Sequence, residues 1–526
     1  MTGPDFTRGV EPGTPHPARA GSTQGAEPSY AAPVDPWASA GIVAEPAHDA
    51  YPATSPTWPD GTADGVTARR GDRVPAYRKK LFWLVAAASA VVLGVVATLV
   101  VVFWPRYPAL DFHALSDPRR VAPAVAVTSR FAAATVRGDR AFFASVSDDG
   151  TLGVVAADAG TGERLWGSPA AGAAQDWERL VALPDAVVAI SAEDDDHRRM
   201  VLLDPGDGKL LWERLIGDDD TVLFAEDTVV LADREENRLL GLDVGGQGRV
   251  RWELKNPTTS SGSHDTTVVA VTTPDDVATP ASAKGEPFAA PLDDDRRIVQ
   301  ISADRSARVI DAKTGTVLVA PRQSVADPDD PVLAHDGRLI VAESDDAHRI
   351  VAYDLAKLGE PRVLYTAPDD NTRFAQLTPC GTDRVCAVQT ASSDAKTAQV
   401  VAVDAAEGGR RWARALADTD DLVPLGDSLL AAQNTTPTKV SLLGADGTVR
   451  WTRDGAAARL DGGNLLRFAK PLSRSPDDPS VAGEHLGDEA VELGPLSGVR
   501  SATCAWNTEV LACVADEDFV LRRFAG

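Results

Sequence analysis

Cysteine is scarce in this 526-residue chain: there are four, and none adjoins another. Methionine occurs twice and aromatic residues make up only 6%. These shortages exclude much. There is no CxxCH haem attachment site and no GxxxxGK[ST] phosphate loop. GxSxG is absent too, and the eight histidines are scattered without the spacing of a catalytic base or a metal set. Ser263, His264 and Asp265 are consecutive in a Gly/Ser/Thr-rich stretch, where three neighbours rarely converge on one point. An Asp box of the sialidase type needs Asp and Gly two apart, whereas Asp446 and Gly447 are adjacent. Positive charge is also in short supply: 52 Lys and Arg face 77 Asp and Glu, a formal net charge of -25. Residues 1–80 hold nine acidic and eight basic side chains, so nearly all the excess lies beyond them. A field of that sign repels phosphate backbones, which argues against a nucleic-acid partner and favours solubility.

One long apolar run is present. From Leu81 to Phe103 the chain carries no charge for 23 residues, and about 20 suffice to cross a bilayer as a helix. Trp83 at one end and Trp104 with Tyr107 at the other suit the two interfaces. Arg69, Arg70, Arg73, Arg78, Lys79 and Lys80 precede the run, and only Arg106, Arg119 and Arg120 follow it closely. Positive flanks stay cytoplasmic, so the expected topology is N-terminus inside and C-terminal bulk outside, in a bacterial cell membrane. Residues 1–78 are dense in Pro, Gly and Ala with no apolar period and are expected to be a disordered tail, its Trp37 and Trp58 being incidental or short docking motifs. The expected organisation is a tail over 1–78, a transmembrane helix over 79–105, a juxtamembrane linker over 106–129 and an ectodomain over 130–526.

The ectodomain repeats. VVAADAGTGERLW ends at Trp166, VLLDPGDGKLLW at Trp212, LLGLDVGGQGRVRW at Trp252, VVAVDAAEGGRRW at Trp412 and VSLLGADGTVRW at Trp451. After Asp158, Asp204 and Asp404 a glycine stands four residues on (Gly162, Gly208, Gly408) and a tryptophan eight on. Asp311 keeps Gly315 but has Val319 in place of the tryptophan, and Asp354 begins a divergent copy ending near Tyr365. Each copy reads as a strand, an Asp/Gly turn and a second strand closed by an aromatic. Asp can bond turn amides and Gly can take positive φ. Upstream strands with a polar lead, such as DRAFFAS, DAVVAIS and DSLLAAQ, complete a four-stranded unit. Spacings of 46, 40 and 39 residues between successive tryptophans fit one blade per repeat. The predicted fold is an all-β propeller of four-stranded blades, with eight favoured over seven. The stretch from Asn256 to Asp295 is longer than a blade connection needs and is expected to be an exposed insertion.

Asp158, Thr161, Gly162 and Trp166, and less fully Asp311, Thr314 and Gly315, resemble the repeat of the pyrroloquinoline-quinone-type propeller family over roughly residues 130–526. The resemblance implies tryptophans packed between blades as structural closures. Quinone-dependent enzymes of that family hold their cofactor with calcium, many against a disulfide between adjacent cysteines, and this chain has no such pair. Clustered acids at Asp194–Asp196, Asp218–Asp220, Asp293–Asp295 and Asp418, Asp420 and Asp421 offer oxygen ligands, but none forms a DxDxDG loop.

Cys380, Cys386, Cys504 and Cys513 allow three pairings. PCGTDRVCA and TCAWNTEVLAC each read as two strand ends joined by a turn, which favours Cys380 with Cys386 and Cys504 with Cys513. Zinc spacing is absent. The expectation is a non-catalytic binding or scaffolding module for a protein or cell-envelope ligand, without a cofactor, with a quinone- or metal-dependent funnel enzyme as the alternative.

Overall fold

Strands that are covered on both faces should be continuously apolar rather than alternating. Arg140–Val146 and Val187–Ser191 are such strands, buried at nearly every position, whereas Arg410–Ala415 is largely exposed. The first two lie in the middle of their sheets and the third at an outer edge. The computed structural model describes residues 106–282, 296–343 and 348–526, apart from 195, 226, 261, 263–264, 370 and 392–393. All of these fall in one compact unit, Val92–Gly526. The expected tail and the apolar run Leu81–Phe103 lie outside the described residues. Among those described, no helix is long and apolar enough to cross a membrane.

Among the described residues the fold is all-β, with antiparallel four-stranded sheets and two single-turn 3-10 helices, Asp276–Ala278 and Ala395–Thr397. Blades 1 to 8 occupy residues 132–168, 177–217, 221–255, 266–322, 332–366, 372–415, 419–454 and 456–495. A ninth consists of Val499–Trp506, Val510–Ala515 and Phe519–Arg523 completed by Arg119–Val121, with Arg120 opposite Val520. The expected eight blades are therefore corrected to nine. Blades 1 to 7 carry an Asp or the polar lead read from the sequence before the second strand. Blades 8 and 9 begin that strand near Asn464 and Glu509 instead, and the last borrows its outer strand from the stretch read as a linker.

Apolar clusters lie between neighbours all the way round. Leu202, Trp212, Phe224 and Leu240 join blades 2 and 3, and Phe143 of blade 1 stacks on Phe519 of blade 9 at 4.7 Å between centroids. Each blade thus buries its two faces chiefly against its neighbours, as stacked repeats do. Blades 4 and 5 also share a short parallel pairing, Val271 with Ala334 and Thr272 with His335.

The stretch 256–295 differs from the expected exposed insertion. Thr266–Thr272 is the innermost strand of blade 4. The chain then leaves the blade through Asp276–Ala278, and Ala281–Ser282 pairs antiparallel with Arg459 and Ala458 on the innermost strand of blade 8. Residues 283–295 lie outside the described residues. Ahead of blade 9, Leu110, Phe112 and Leu115 pack against the cluster between blades 8 and 9. Backbone bonds from His113 to Phe524, Leu115 to Leu493 and Ser116 to Arg523 hold that segment down.

Cys380 is bonded to Cys386 and Cys504 to Cys513, with Cα atoms 5.8 Å and 4.2 Å apart. The first ties the turn after the first strand of blade 6 to its second strand, and the second joins the first two strands of blade 9.

Candidate functional site

Asp and Gly types were expected to shape the turns, and their bonds are local. The Asp158 carboxylate accepts from the Thr161 amide (2.6 Å) and hydroxyl (2.8 Å), which hold its pKa below the ordinary value. Asp204 accepts from the amides of Gly206 and Asp207, Asp311 from the Thr314 amide and hydroxyl, and Asp404 from the amides of Ala406 and Glu407. The Glu407 amide is the main cause of the lowered Asp404 pKa. Gly162, Gly208, Gly315 and Gly408 close these turns with positive φ, each donating its amide to the Asp carbonyl.

Turn and tryptophan meet across a blade boundary. Trp166 Nε1 donates to Pro205 O (3.0 Å), Trp212 to Val244 O (2.8 Å), Trp252 to Ala312 O (2.9 Å) and Trp412 to Ala445 O (2.9 Å). In each case the acceptor lies in the turn of the following blade, and the indole rests on that turn's glycine. A Cβ at Gly208, Gly248 or Gly447 would meet the ring at 2.5, 2.8 and 2.5 Å, and Gly315 is covered by Trp252 in the same way. Trp451 departs from the pattern: it donates to Glu484 Oε1 (2.9 Å), with the Arg467 guanidinium over its ring.

Of the five boundaries without a tryptophan on a glycine, three are filled as follows. The Arg119 stem covers Gly162. Arg362 forks onto the carbonyls of Ala406 and Glu407 beside Gly408. Between blades 4 and 5 the smaller Val319 faces a turn in which Leu358 stands where glycine would, buried and at φ +45°.

A notch of about 460 Å³ sits between blades 6 and 7, lined by Thr382, Asp383, Arg384, Arg411, Trp412, Ala445 and Asp446. The Cys380–Cys386 hairpin carries its first wall. Arg384 donates from Nε to Cys380 O (2.7 Å) and from Nη2 to Asp427 O (2.8 Å), and burial lowers its pKa. Arg411 bonds the Asp404 carboxylate. Asp383 accepts from Arg338 (2.8 Å), and Asp446 accepts from the Thr448 hydroxyl (2.7 Å), which lowers its pKa. Two guanidiniums, two carboxylates and an indole make a zwitterionic, aromatic lining. Such a lining can bond charged and polar side chains. Of the residues singled out by the repeat, only Trp412 lines it. Arg384, Arg411 and Asp446 were not distinguishable in the sequence from ordinary turn charges.

Two carboxylates of the acidic runs bond within the protein. Asp220 accepts from the amides of Gly217 and Arg234, and Asp421 from the Gln376 side chain (2.9 Å). Among the described residues no group of three or more His, Cys, Asp or Glu side chains is arranged to hold a metal. Ser263, His264, Asp195 and Asp293–Asp295 lie outside the described residues.

A family profile described as outer membrane protein assembly factor BamB matches residues 148–286 and 279–453. No curated protein matches the chain. Solved structures similar to it include BamB from Moraxella catarrhalis (14% identity over 78% of this chain and 100% of that one, TM-score 0.39). A eukaryotic initiation factor is similar at 14% identity over 72% and 91%, TM-score 0.47. The computationally designed Ika8 protein is similar at 12% over 79% and 100%, TM-score 0.39.

Proposed function

This chain belongs to the propeller family described as outer membrane protein assembly factor BamB, and from that premise we propose that it is a non-catalytic binding or scaffolding module held at a bacterial cell membrane. The observation that carries the reading is the division of labour in the fold. Apolar residues are consumed between blades, and the turns and loops, with the blade 6–7 notch among them, are left to meet a partner on a rigid support. The partner is a protein or envelope component that presents charged and polar groups to Arg384, Arg411 and Trp412. The apolar run Leu81–Phe103 is the anchor and its basic N-terminal flank stays cytoplasmic, which puts the propeller outside, in a compartment suited to its two disulfides.

The test is cross-linking in intact cells from a photoreactive residue placed at Thr382 of the full chain. A discrete adduct that is lost in Arg384→Ala/Arg411→Ala, while the melting curve is kept, supports the reading. Absence of any adduct at the notch, together with a quinone chromophore or stoichiometric calcium on the purified chain, would favour a funnel enzyme instead.

A further inference from the structure

Within each blade the first strand runs along the central channel and ends in the turn to the second. One mouth of the channel is therefore ringed by these turns, among them 380–383, 426–427 and 460–463, and the other by the loops that enter each first strand. Near the entry ends Glu178, Arg373, Ala375 and Asp420 are exposed, beside the buried Trp177, Thr372 and Thr419. Towards the turn ends Thr378, Pro379 and Leu425 are buried, as is all of Ala456–Arg459 in blade 8, while Arg137, Thr272 and His335 are half-buried.

The crossing from blade 4 lies at the turn mouth. It leaves blade 4 after Thr272, touches down on blade 8 at Ala281–Ser282, and those blades stand four apart in a ring of nine, on opposite sides of the channel. Its first turn is fixed by Asp276, whose carboxylate accepts from the Thr273 amide (2.7 Å) and hydroxyl (2.8 Å). Its far end is fixed by Arg459, 5% exposed, which donates from Nε to Thr279 O (2.6 Å) and from Nη1 to Pro424 O (2.8 Å). The Arg459 carbonyl in turn accepts from Trp506 Nε1 (3.0 Å), so one side chain and its backbone tie blades 7, 8 and 9 to the crossing. Burial pushes the Arg459 guanidinium down to about 10, still protonated at neutral pH. Arg106 pairs with Asp275 on the crossing, and the Tyr107 ring lies against Gly462 beside it.

We propose that residues 273–282 are a bolt drawn across the channel, which shuts its turn-side mouth and leaves entry only from the loop side. This goes beyond the binding reading, whose notch lies on the turn side, and it is tested without any ligand, so its failure leaves that reading standing.

Single cysteines are placed at Pro424, beneath the bolt, and at Ala375, near the open mouth, in the full-length chain, whose four native cysteines are paired. Labelling with a bulky polymer-linked maleimide is then timed. Ala375→Cys should react faster than Pro424→Cys. Adding Asp276→Ala or Arg459→Ala should speed Pro424→Cys by at least about tenfold and leave Ala375→Cys unchanged, because only the local closure is released. Asp276→Ala alters a single surface turn and keeps the test valid if Arg459→Ala fails to fold. The double variant Ser282→Cys/Ala458→Cys, at positions directly opposed in register, should form a third disulfide on non-reducing peptide mapping. Equal labelling at the two sites in the parent, indifference of Pro424→Cys to bolt release, or two free thiols in Ser282→Cys/Ala458→Cys would each overturn the proposal.

Discussion

Replacing Trp212 with alanine removes the indole that joins blades 2 and 3. The ring is 7% exposed and lies within the cluster of Leu183, Ile190, Leu202, Phe224 and Leu240. Its loss opens a cavity in a densely packed wall, for which large-to-small substitutions cost about 3–5 kcal/mol. About 1 kcal/mol of that is the Nε1 bond to Val244 O, whose carbonyl would be left without its donor. Trp212→Phe, which keeps most of the apolar area, should therefore cost clearly less than Trp212→Ala. Gly248→Ala supplies the reciprocal perturbation. It adds a methyl group, yet should destabilise, since the new Cβ would stand 2.8 Å from the indole in a backbone of φ +65°. The double variant Trp212→Ala/Gly248→Ala should cost less than the sum, because without the ring the methyl has room. Urea unfolding followed by far-ultraviolet circular dichroism reads all four stabilities from their midpoints. Strict additivity of the two substitutions, or a Trp212→Ala chain within about 0.5 kcal/mol of the parent, the range of an ordinary surface change, would refute the docking of ring on turn.

Three other outcomes are expected. Val319→Trp should overpack the blade 4–5 boundary by about 1–3 kcal/mol, and Leu358→Gly should relieve it, so that the pair melts above Val319→Trp alone; no rescue would break the size exchange. His335, bonded to Thr272 Oγ1 (2.9 Å), is held below its ordinary pKa chiefly by burial, against the raising effects of Asp336 and Asp276 and with a small lowering one from Arg338. The unfolded chain then takes up the proton first, so stability should be full above about pH 6.5, fall as pH drops from there to the folded-state value, and level off below it; a His335→Gln chain with the same slope in urea titrations would exclude this residue as the cause. Protease added to intact cells should cut within 283–295 and spare residues 1–78, and cleavage confined to the tail would reverse the topology.

The blade itself was legible because its markers are local. Asp158, Gly162 and Trp166 fall within nine residues, and each has a conformational or packing reason to be where it is. What the markers do was less legible: the glycine serves the previous blade's indole, a relation that only appears once blades are stacked. The count missed by one because blade 9 joins Arg119–Val121 to a strand some 400 residues later, and no periodicity reports a pairing so distant. The crossing was hidden for a similar reason. Thr266–Thr272 falls inside the stretch read as an insertion, and the partner of Ala281 lies in another blade altogether. The disulfides were accessible because each closes a hairpin six or nine residues long. The notch was not, since Arg384, Arg411 and Asp446 come together only through the packing of blade 6 on blade 7.

The closing strand Arg119–Val121 has a mechanical consequence. Any tension entering the propeller along the chain from its N-terminal side is directed at the seam where the ring was joined, a ladder of only three residue pairs. That seam is not the first element to be loaded. Residues 107–116 lie upstream of it, wedged by Tyr107, Leu110, Phe112 and Leu115 and tied by backbone bonds to Leu493, Arg523 and Phe524. They act as a strain relief, as a clamped cable protects its solder joint. A tug must first peel that segment from blades 8 and 9 before force reaches the joint, so the ring can be held by one end without being opened by it.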